Sequence, residues 1–328
     1  MSKIELAIKF GSNEIIVYRK GFGIVARECS YLATTKGKTK ICAYGDEAKR
    51  ICHLKPAQYD LHQPIQGHDI INNLYAQKML NHIIEKSVHE NGLITAIVAV
   101  PCALTEQKLL ELKLLLKNAG INKITFVQNA VCVRHNLPDV DESSEAMIVD
   151  MGKFLVDMSV LTRYNFVKGR NYLVGGAEMD EALATYVHDN YNVTISNSLA
   201  ETIKDEVASM HANDMYTATF DGVDEEGNYK QITIRANEAR VAILGVYEKI
   251  FKYIEEFLHE LPNDTLAEVK KNGIIFTGGV SCIQGLVEYA SKRLNIPTFV
   301  VENPKDAVIL GAGKLLSLNK EDYQYIKL

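Results

Sequence analysis

The sequence predicts an α/β protein of two related halves, each opening with a β-hairpin whose turn faces a shared cleft. The stretches ELAIKFGSNEIIVY at residues 5–18 and AMIVDMGKFLVDMSVL at 146–161 are apolar runs broken by a glycine turn, about 140 residues apart. Each is followed by strand and helix patterns in a similar scheme. At 328 residues the chain also exceeds what one hydrophobic core usually serves. Repetition at this scale indicates duplicated domains rather than a solenoid, since no period of about 20–50 residues recurs.

In chain order, residues 4–10 and 15–18 are β-rich runs separated by the turn Gly11-Ser12-Asn13, and strand-like runs continue to about Ala43. Residues 70–90 carry Leu74, Leu80, Ile83, Ile84 and Val88 in a helical stripe. A continuous apolar strand at 93–100 ends at Pro101; Thr105 then caps a helix with Glu106 in its first turn, and Gly120 closes it. A strand at 124–127 leads to a helical or irregular piece and a polar run at 139–145, before the second hairpin. Helices are predicted at 178–190 and 198–211, then a β-ribbon at 216–221 and 229–235 turning at 224–228. A long helix at 237–260 stops before Pro262. The end reads strand 273–276, Gly278-Gly279, helix, strand 298–301, and a helix starting near Pro304.

Composition narrows the function. Hydrophobic residues are 47% and charged residues 23%, ordinary globular values, and the net charge is -5. No basic stripe is present, so the electrostatic footprint of a nucleic-acid binder is missing. No apolar run reaches the roughly 18 residues that span a bilayer, and the amino terminus runs straight into a strand pattern without signal-peptide architecture, so a soluble chain is expected. The six cysteines, Cys29, Cys42, Cys52, Cys102, Cys132 and Cys282, form no CxxC pair and read as free thiols in a reducing cytoplasm. Cys42 with Cys52-His53 lacks zinc spacing, and no HExxH occurs.

Certain stretches are more specific: GDEAKR at 45–50, AVPCALTEQKL at 99–109, LVGGAEMDEALATYVHDNYNV at 173–193, LAETIKDEVASM at 199–210, and GIIFTGGVSCIQGLVEYASKRLNIPTFVVENPKDAVILGAGKLL at 273–316. A lone TGG is a weak signal. The whole set, in this order, resembles the rod-shape-determining MreB family of bacterial actins across roughly residues 4–317. The resemblance implies an actin-like ATPase fold, with two duplicated α/β domains at 1–138 and 139–328 around a central cleft. Smaller subdomains are then expected at about 28–75 and 212–262. It also implies head-to-tail filaments, with the chain itself and MreB paralogues as partners, in cell shape, wall-synthesis scaffolding or motility. Heterologous contacts of that kind propagate unless rotation closes them.

Such proteins cradle the β- and γ-phosphates on two glycine turns, whose amides supply donors without side-chain bulk. An Asp ending each first strand holds Mg²⁺, and a residue between the halves orients the attacking water. Here Gly11, Ser12 and Asn13 form the first turn, but Lys9 stands in the place of the Asp and Ile15 in that of a phosphate-facing Thr. The second hairpin keeps Asp150, a candidate Mg²⁺ ligand, and Gly152, while Lys153-Phe154-Leu155-Val156 stands where the family has Gly-Gly-Thr-Thr. Asn129 takes the water-orienting place of a Glu. On the nucleoside side, Glu201 and Lys204 match residues contacting ribose and adenine, and Gly278 and Gly279 match the adenine-side turn, with Val280 for a third Gly. On its own, Glu201–Lys204 also reads as an ordinary surface pair three residues apart on one helix face.

The odd residues keep two readings each. Lys9 is either solvated with its stem packed, or it lies near Asp150 and either holds phosphate or closes the site as a salt bridge, the reading favoured. An ion pair at about 4 Å is worth on the order of 4 kcal/mol at an effective dielectric of 20, before desolvation is subtracted. Lys153 either reaches a phosphate as a P-loop lysine does, or crowds the turn together with Phe154, and Glu14 adds a negative charge. Together these changes disfavour catalysis more than binding, so ATP or ADP with Mg²⁺ and a nucleotide-free state are both expected. The loop matching the family's membrane contact is shortened to 89–94, where Leu93 and Ile94 more naturally begin a strand. A cytoplasmic protein is expected, with at most weak contact at the inner face of the membrane. Two alternatives stay open: a non-polymerising regulator that co-assembles with an MreB paralogue, and a kinase or other ATPase enzyme of the actin superfamily.

Overall fold

The computed structural model describes residues 2–137, 144–162 and 165–328. The expected domain boundary at 138/139 and most of the polar run at 139–145 lie outside the described residues. The chain divides into two compact units, Met1–Ser144 with Leu161–Gly169 and Asp306–Leu328, and Glu145–Val160 with Arg170–Lys305. The carboxy-terminal stretch thus belongs with the first unit, although it follows the second in sequence.

In the first unit the elements are β1 (Ser2–Phe10), β2 (Glu14–Arg19), β3 (Gly23–Cys29), β4 (Leu32–Thr35), β5 (Ile41–Tyr44), α1 (Gly45–Leu54), β6 (Tyr59–His62), β7 (Ile65–Gln66), β8 (Asp69–Ile70), α2 (Asn73–Ser87), β9 (Gly92–Val100), α3 (Glu106–Asn118), β10 (Lys123–Gln128) and α4 (Asn129–Asn136). The main sheet runs β3-β2-β1-β9-β10, with β1 and β2 antiparallel and β1, β9 and β10 parallel. Its central strands are continuous apolar runs because both faces are covered: Leu6, Ile8, Ile15, Val17 and Val98 are fully buried. A smaller sheet, β5-β4-β6, stands beside it in the chain order. Helix α2 starts later than the apolar stripe suggests, because Ile70 pairs with Ile65 in the β7–β8 hairpin and the Asn72 side chain accepts the Tyr75 amide at 3.0 Å.

The second unit contains β11 (Ala146–Met151), β12 (Val156–Leu161), β13 (Phe166–Tyr172), α5 (Gly176–Tyr191), β14 (Val193–Thr194), α6 (Asn197–Val207), β15 (Thr217–Asp224), β16 (Tyr229–Arg235), α7 (Ala236–His259), α8 (Asn263–Asn272), β17 (Ile274–Thr277), α9 (Leu286–Leu294) and β18 (Thr298–Val300), except that Leu161 at the end of β12 and residues 166–169 of β13 group with the first unit. Its main sheet, β13-β12-β11-β17-β18, repeats the order of the first: a hairpin and a third strand on one side, two strands on the other. The duplication read from the two hairpins is therefore a duplication of topology. The ribbon β15–β16 turns at 224–228, where Asp224 Oδ1 accepts the amides of Glu226 at 3.0 Å and Asn228 at 2.8 Å.

Helix α6 is shorter than its pattern: it stops at Val207, and Met210 instead donates its amide to the Gln284 carbonyl at 2.7 Å. The core of this unit gathers Tyr247, Phe251, Phe257 and Phe276, all fully buried, each worth roughly 1.5–3 kcal/mol of transfer free energy. The last helix, α10 (Ala307–Leu315), returns to the first unit and packs on α4. Gly311 makes that packing: a Cβ there would meet the Cys132 carbonyl oxygen at 1.8 Å. Among the described residues no helix is long and apolar enough to cross a membrane.

Candidate functional site

In the first unit, Lys9 is the last but one residue of β1, opposite Ile16 on β2, and ends the pairing with β9 at Ala99. The turn after it is closed by the Gly11 amide, which donates to the Glu14 carbonyl at 3.1 Å. A Cβ at Gly11 would sit 2.9 Å from that same oxygen, so glycine is required by close approach. Ser12 is buried, and its hydroxyl donates to the Gly67 carbonyl at 3.0 Å while Gln63 Nε2 donates to the Ser12 carbonyl at 2.8 Å. The Ser30 amide donates to the Asn13 carbonyl at 2.8 Å. The turn is thereby tied to the strand ends around it.

Glu14 is held by Arg27, whose guanidinium also pairs with Asp306 at the start of α10. These two carboxylates hold the Arg27 guanidinium above its ordinary value against the cost of burial. Ile15 is fully buried in the core. Asn129 is the first residue of α4, which packs on α10, and is buried at 7% exposure.

In the second unit, Asp150 lies near the end of β11, paired with Thr277 on β17, and is buried. Gly278 follows with φ +87, and a Cβ there would meet Met151 O at 2.4 Å and Asp150 Oδ1 at 2.5 Å. This turn therefore abuts the Asp150 carboxylate. Gly279 opens a short 3₁₀ turn, and the Val280 carbonyl accepts the Tyr247 hydroxyl at 2.8 Å. The hairpin turn is pinned from behind: the Gly176 amide donates to Gly152 O at 3.1 Å and the Ala177 amide to Lys153 O at 2.8 Å. Leu155 and Val156 are buried at 9% and 0% exposure and offer no hydroxyl.

Four charges then line up. The Lys153 ammonium lies 3.0 Å from Glu201 Oε2, with side-chain exposures of 12% and 24%. One turn along α6, the Lys204 ammonium lies 2.5 Å from Asp180 Oδ1, with exposures of 7% and 2%. Lys204 also donates to the Gly176 carbonyl at 3.4 Å. A Cβ at Gly176 would sit 3.2 Å from that ammonium and 3.3 Å from Val280 Cγ2, so glycine keeps the cluster compact. Burial raises the Asp180 carboxyl above its ordinary value, and Lys204 pulls against it.

The second unit thus brings together Asp150 with Gly278, and Lys153, Glu201 and Lys204 with the Gly152 and Val280 turns. Lys9, Gly11, Ser12, Asn13 and Asn129 belong to the first unit. Sequence reasoning missed Asp180, which partners Lys204. The signal was there: an acidic residue between Met179 and Leu183 on the apolar face of α5 needs a buried cation, and Lys204 lies on the apolar face of α6.

These residues do not fit a triphosphate with its metal. The side chains of Ile15, Leu155 and Val156 are buried aliphatics without hydrogen-bonding groups, the Ser12 hydroxyl donates to the Gly67 carbonyl, and the Lys153 ammonium pairs with Glu201. Among the described residues, no group of three or more His, Cys, Asp or Glu side chains is arranged to hold a metal ion.

A family model described as MreB/Mbl protein matches residues 3–324. The cell shape-determining protein MreB of Escherichia coli (strain K12) is 27% identical over 326 residues, covering 96% of this chain and 93% of that protein. The cell shape-determining protein Mbl of Bacillus subtilis (strain 168) is 26% identical over 319 residues, covering 95% of each. Among solved structures, MreB5 of Spiroplasma citri bound to AMPPNP superposes with a TM-score of 0.90 at 22% identity, covering 96% of both chains. A MamK double helical filament superposes at 0.83 and 18% identity, covering 97% of this chain and 100% of that one. At these identities the structural likeness establishes an actin-like fold.

Proposed function

Because the chain belongs to the MreB/Mbl family, we propose that it is a cytoskeletal protomer that assembles head to tail into actin-like filaments with weak or absent ATP hydrolysis. Such filaments would act in the cytoplasm in cell shape, wall-synthesis scaffolding or motility. The observation that carries assembly is family membership over nearly the whole chain. The likeness to a protein solved as a double helical filament supports it. Both main sheets and the helices between them are retained, so the surfaces of the protomer are built on the same scaffold.

The observation that carries weak hydrolysis is the chemistry of the altered positions. Lys9 brings positive charge where a metal-organising carboxylate is needed. Asn129 is a poorer acceptor than a carboxylate for orienting a water, and Ile15, Leu155 and Val156 supply no hydrogen bonds. Structural neighbours carry AMPPNP and ADP. In this chain a nucleotide would be held mainly from the nucleoside side, by Glu201, Lys204 and the turn Gly278-Gly279-Val280. The domain reading follows the same scaffold, with the small sheets β5-β4-β6 and β14-β15-β16 as the cores of the two smaller subdomains.

Electron microscopy and pelleting of the purified chain at rising concentration, alone and with an MreB paralogue, test the assembly reading. Protofilaments of the chain alone are expected. Monomers persisting under both conditions would contradict it.

A further inference from the structure

The geometry points to Lys153 as a built-in competitor of nucleotide: its side chain occupies Glu201 and closes the nucleoside side of the second unit with the chain's own charge. This rests on the reading of Glu201 and Lys204 as the nucleoside-facing residues.

Both backbone and side chain of Lys153 are fixed. Its carbonyl accepts the Ala177 amide at 2.8 Å, its Cα lies 3.7 Å from where a Gly176 Cβ would stand, and its ammonium reaches Glu201 Oε2 at 3.0 Å. Glu201 is one turn of α6 from Lys204, whose ammonium is bound to Asp180. The cluster alternates in sign, Lys153, Glu201, Lys204, Asp180, and sums to zero. A ribose hydroxyl seeking the Glu201 carboxylate must first displace an ammonium. The side chains of Leu155 and Val156 offer no hydroxyl in compensation, since both are core residues. Binding is therefore reduced by the fraction of time the pair is open, so a lock closed about ten to one lowers the apparent affinity about tenfold.

The test is the affinity of ADP, measured by calorimetry on the full chain and on Lys153→Ala and Lys153→Met, with thermal unfolding to establish that each variant is folded. Lys153→Met keeps most of the stem volume should Lys153→Ala fail to fold. Removing the ammonium is expected to tighten ADP about tenfold, and high salt should tighten it in the wild type but not in the variants. Affinity unchanged or weakened in the folded variants would overturn the proposal, and weakening would make Lys153 a phosphate holder instead. Absence of binding in every folded protein would overturn it too. Pelleting of the same samples separates the two readings. Filaments with unchanged ADP affinity leave assembly standing without the lock, and tightened affinity in a chain that never pellets leaves the lock without assembly.

Discussion

The Lys204 ammonium lies 2.5 Å from Asp180 Oδ1, and the two side chains are 7% and 2% exposed. A pair this far from water is worth little over an apolar replacement, yet it is costly to break from one side. Lys204→Met should cost about 3–5 kcal/mol of unfolding free energy, because it strands a buried carboxylate. The double change Lys204→Met with Asp180→Leu should recover most of that loss. Chemical denaturation of the three proteins checks this, and a single variant as stable as wild type would contradict it.

The same pair has a pH signature. Burial raises the folded-state value of Asp180 above its ordinary 3.8, with Lys204 opposing. A carboxyl raised in the fold binds its proton more tightly there than when unfolded, so its contribution to stability falls as pH rises through the folded value. Without Lys204 that effect grows. The stability gap between wild type and Lys204→Met should therefore widen as pH rises from the ordinary 3.8 through the raised folded value. A gap independent of pH would contradict it.

Carboxylates on the surface act in the opposite sense. The hydrogen bond from Lys3 holds Glu5 below its ordinary 4.5, and the hydrogen bond from Lys108 holds Asp69 below its ordinary 3.8. Each is charged at a lower pH in the fold than in the unfolded chain. The stability they add is present above those ordinary values and is lost as pH falls through the folded ones. Melting temperature should therefore drop on acidification below about pH 4.5, and less steeply in high salt. A flat profile through that range would refute the assignment.

Gly311 tests the packing that positions Asn129. An added methyl would collide with the Cys132 carbonyl, whose oxygen stands 1.8 Å from the ideal Cβ. Gly311→Ala should destabilise the protein by about 1–3 kcal/mol or more as α10 is pushed off α4. Gly227→Ala, where a Cβ would meet nothing within 4 Å but φ is +86, should cost only about 1 kcal/mol of backbone strain. Equal melting shifts in the two variants would contradict this ordering.

If hydrolysis is weak as proposed, a single substitution at Asn129 should not produce it. Asn129→Glu restores a carboxylate to the start of α4, but the buried aliphatics at Ile15, Leu155 and Val156 still supply no donors. Phosphate release by wild type and Asn129→Glu should both match a buffer blank, since lost charge stabilisation and lost water positioning each remove powers of ten in rate. Turnover by Asn129→Glu well above the blank would show that the water-orienting residue alone was limiting.

Much of this is legible in the sequence. The hairpins around Gly11 and Gly152 carried the duplication because paired apolar runs and a glycine turn are local signals. The motif around Glu201 carried the family because several stretches fell in one order. What was not legible depends on contacts distant in sequence. Nothing near residue 306 announces that α10 joins the first unit; that follows from Gly311 meeting Cys132. The early stop of α6 depends on Gln284 taking the Met210 amide. The occupation of Glu201 by Lys153 joins residues 48 apart, and a turn lysine in isolation reads equally well as a phosphate holder.

The central claim is that this chain assembles without running on ATP, and sedimentation of nucleotide-stripped protein tests it most directly. Polymer mass, followed by electron microscopy for a subunit repeat of roughly 50 Å, the height that an actin-like head-to-tail protomer implies, should be the same before and after addition of ATP with Mg²⁺. Phosphate release should stay at the blank. Protein that remains monomeric until ATP is added, then polymerises with phosphate release that disappears in Asp150→Ala, would contradict the account.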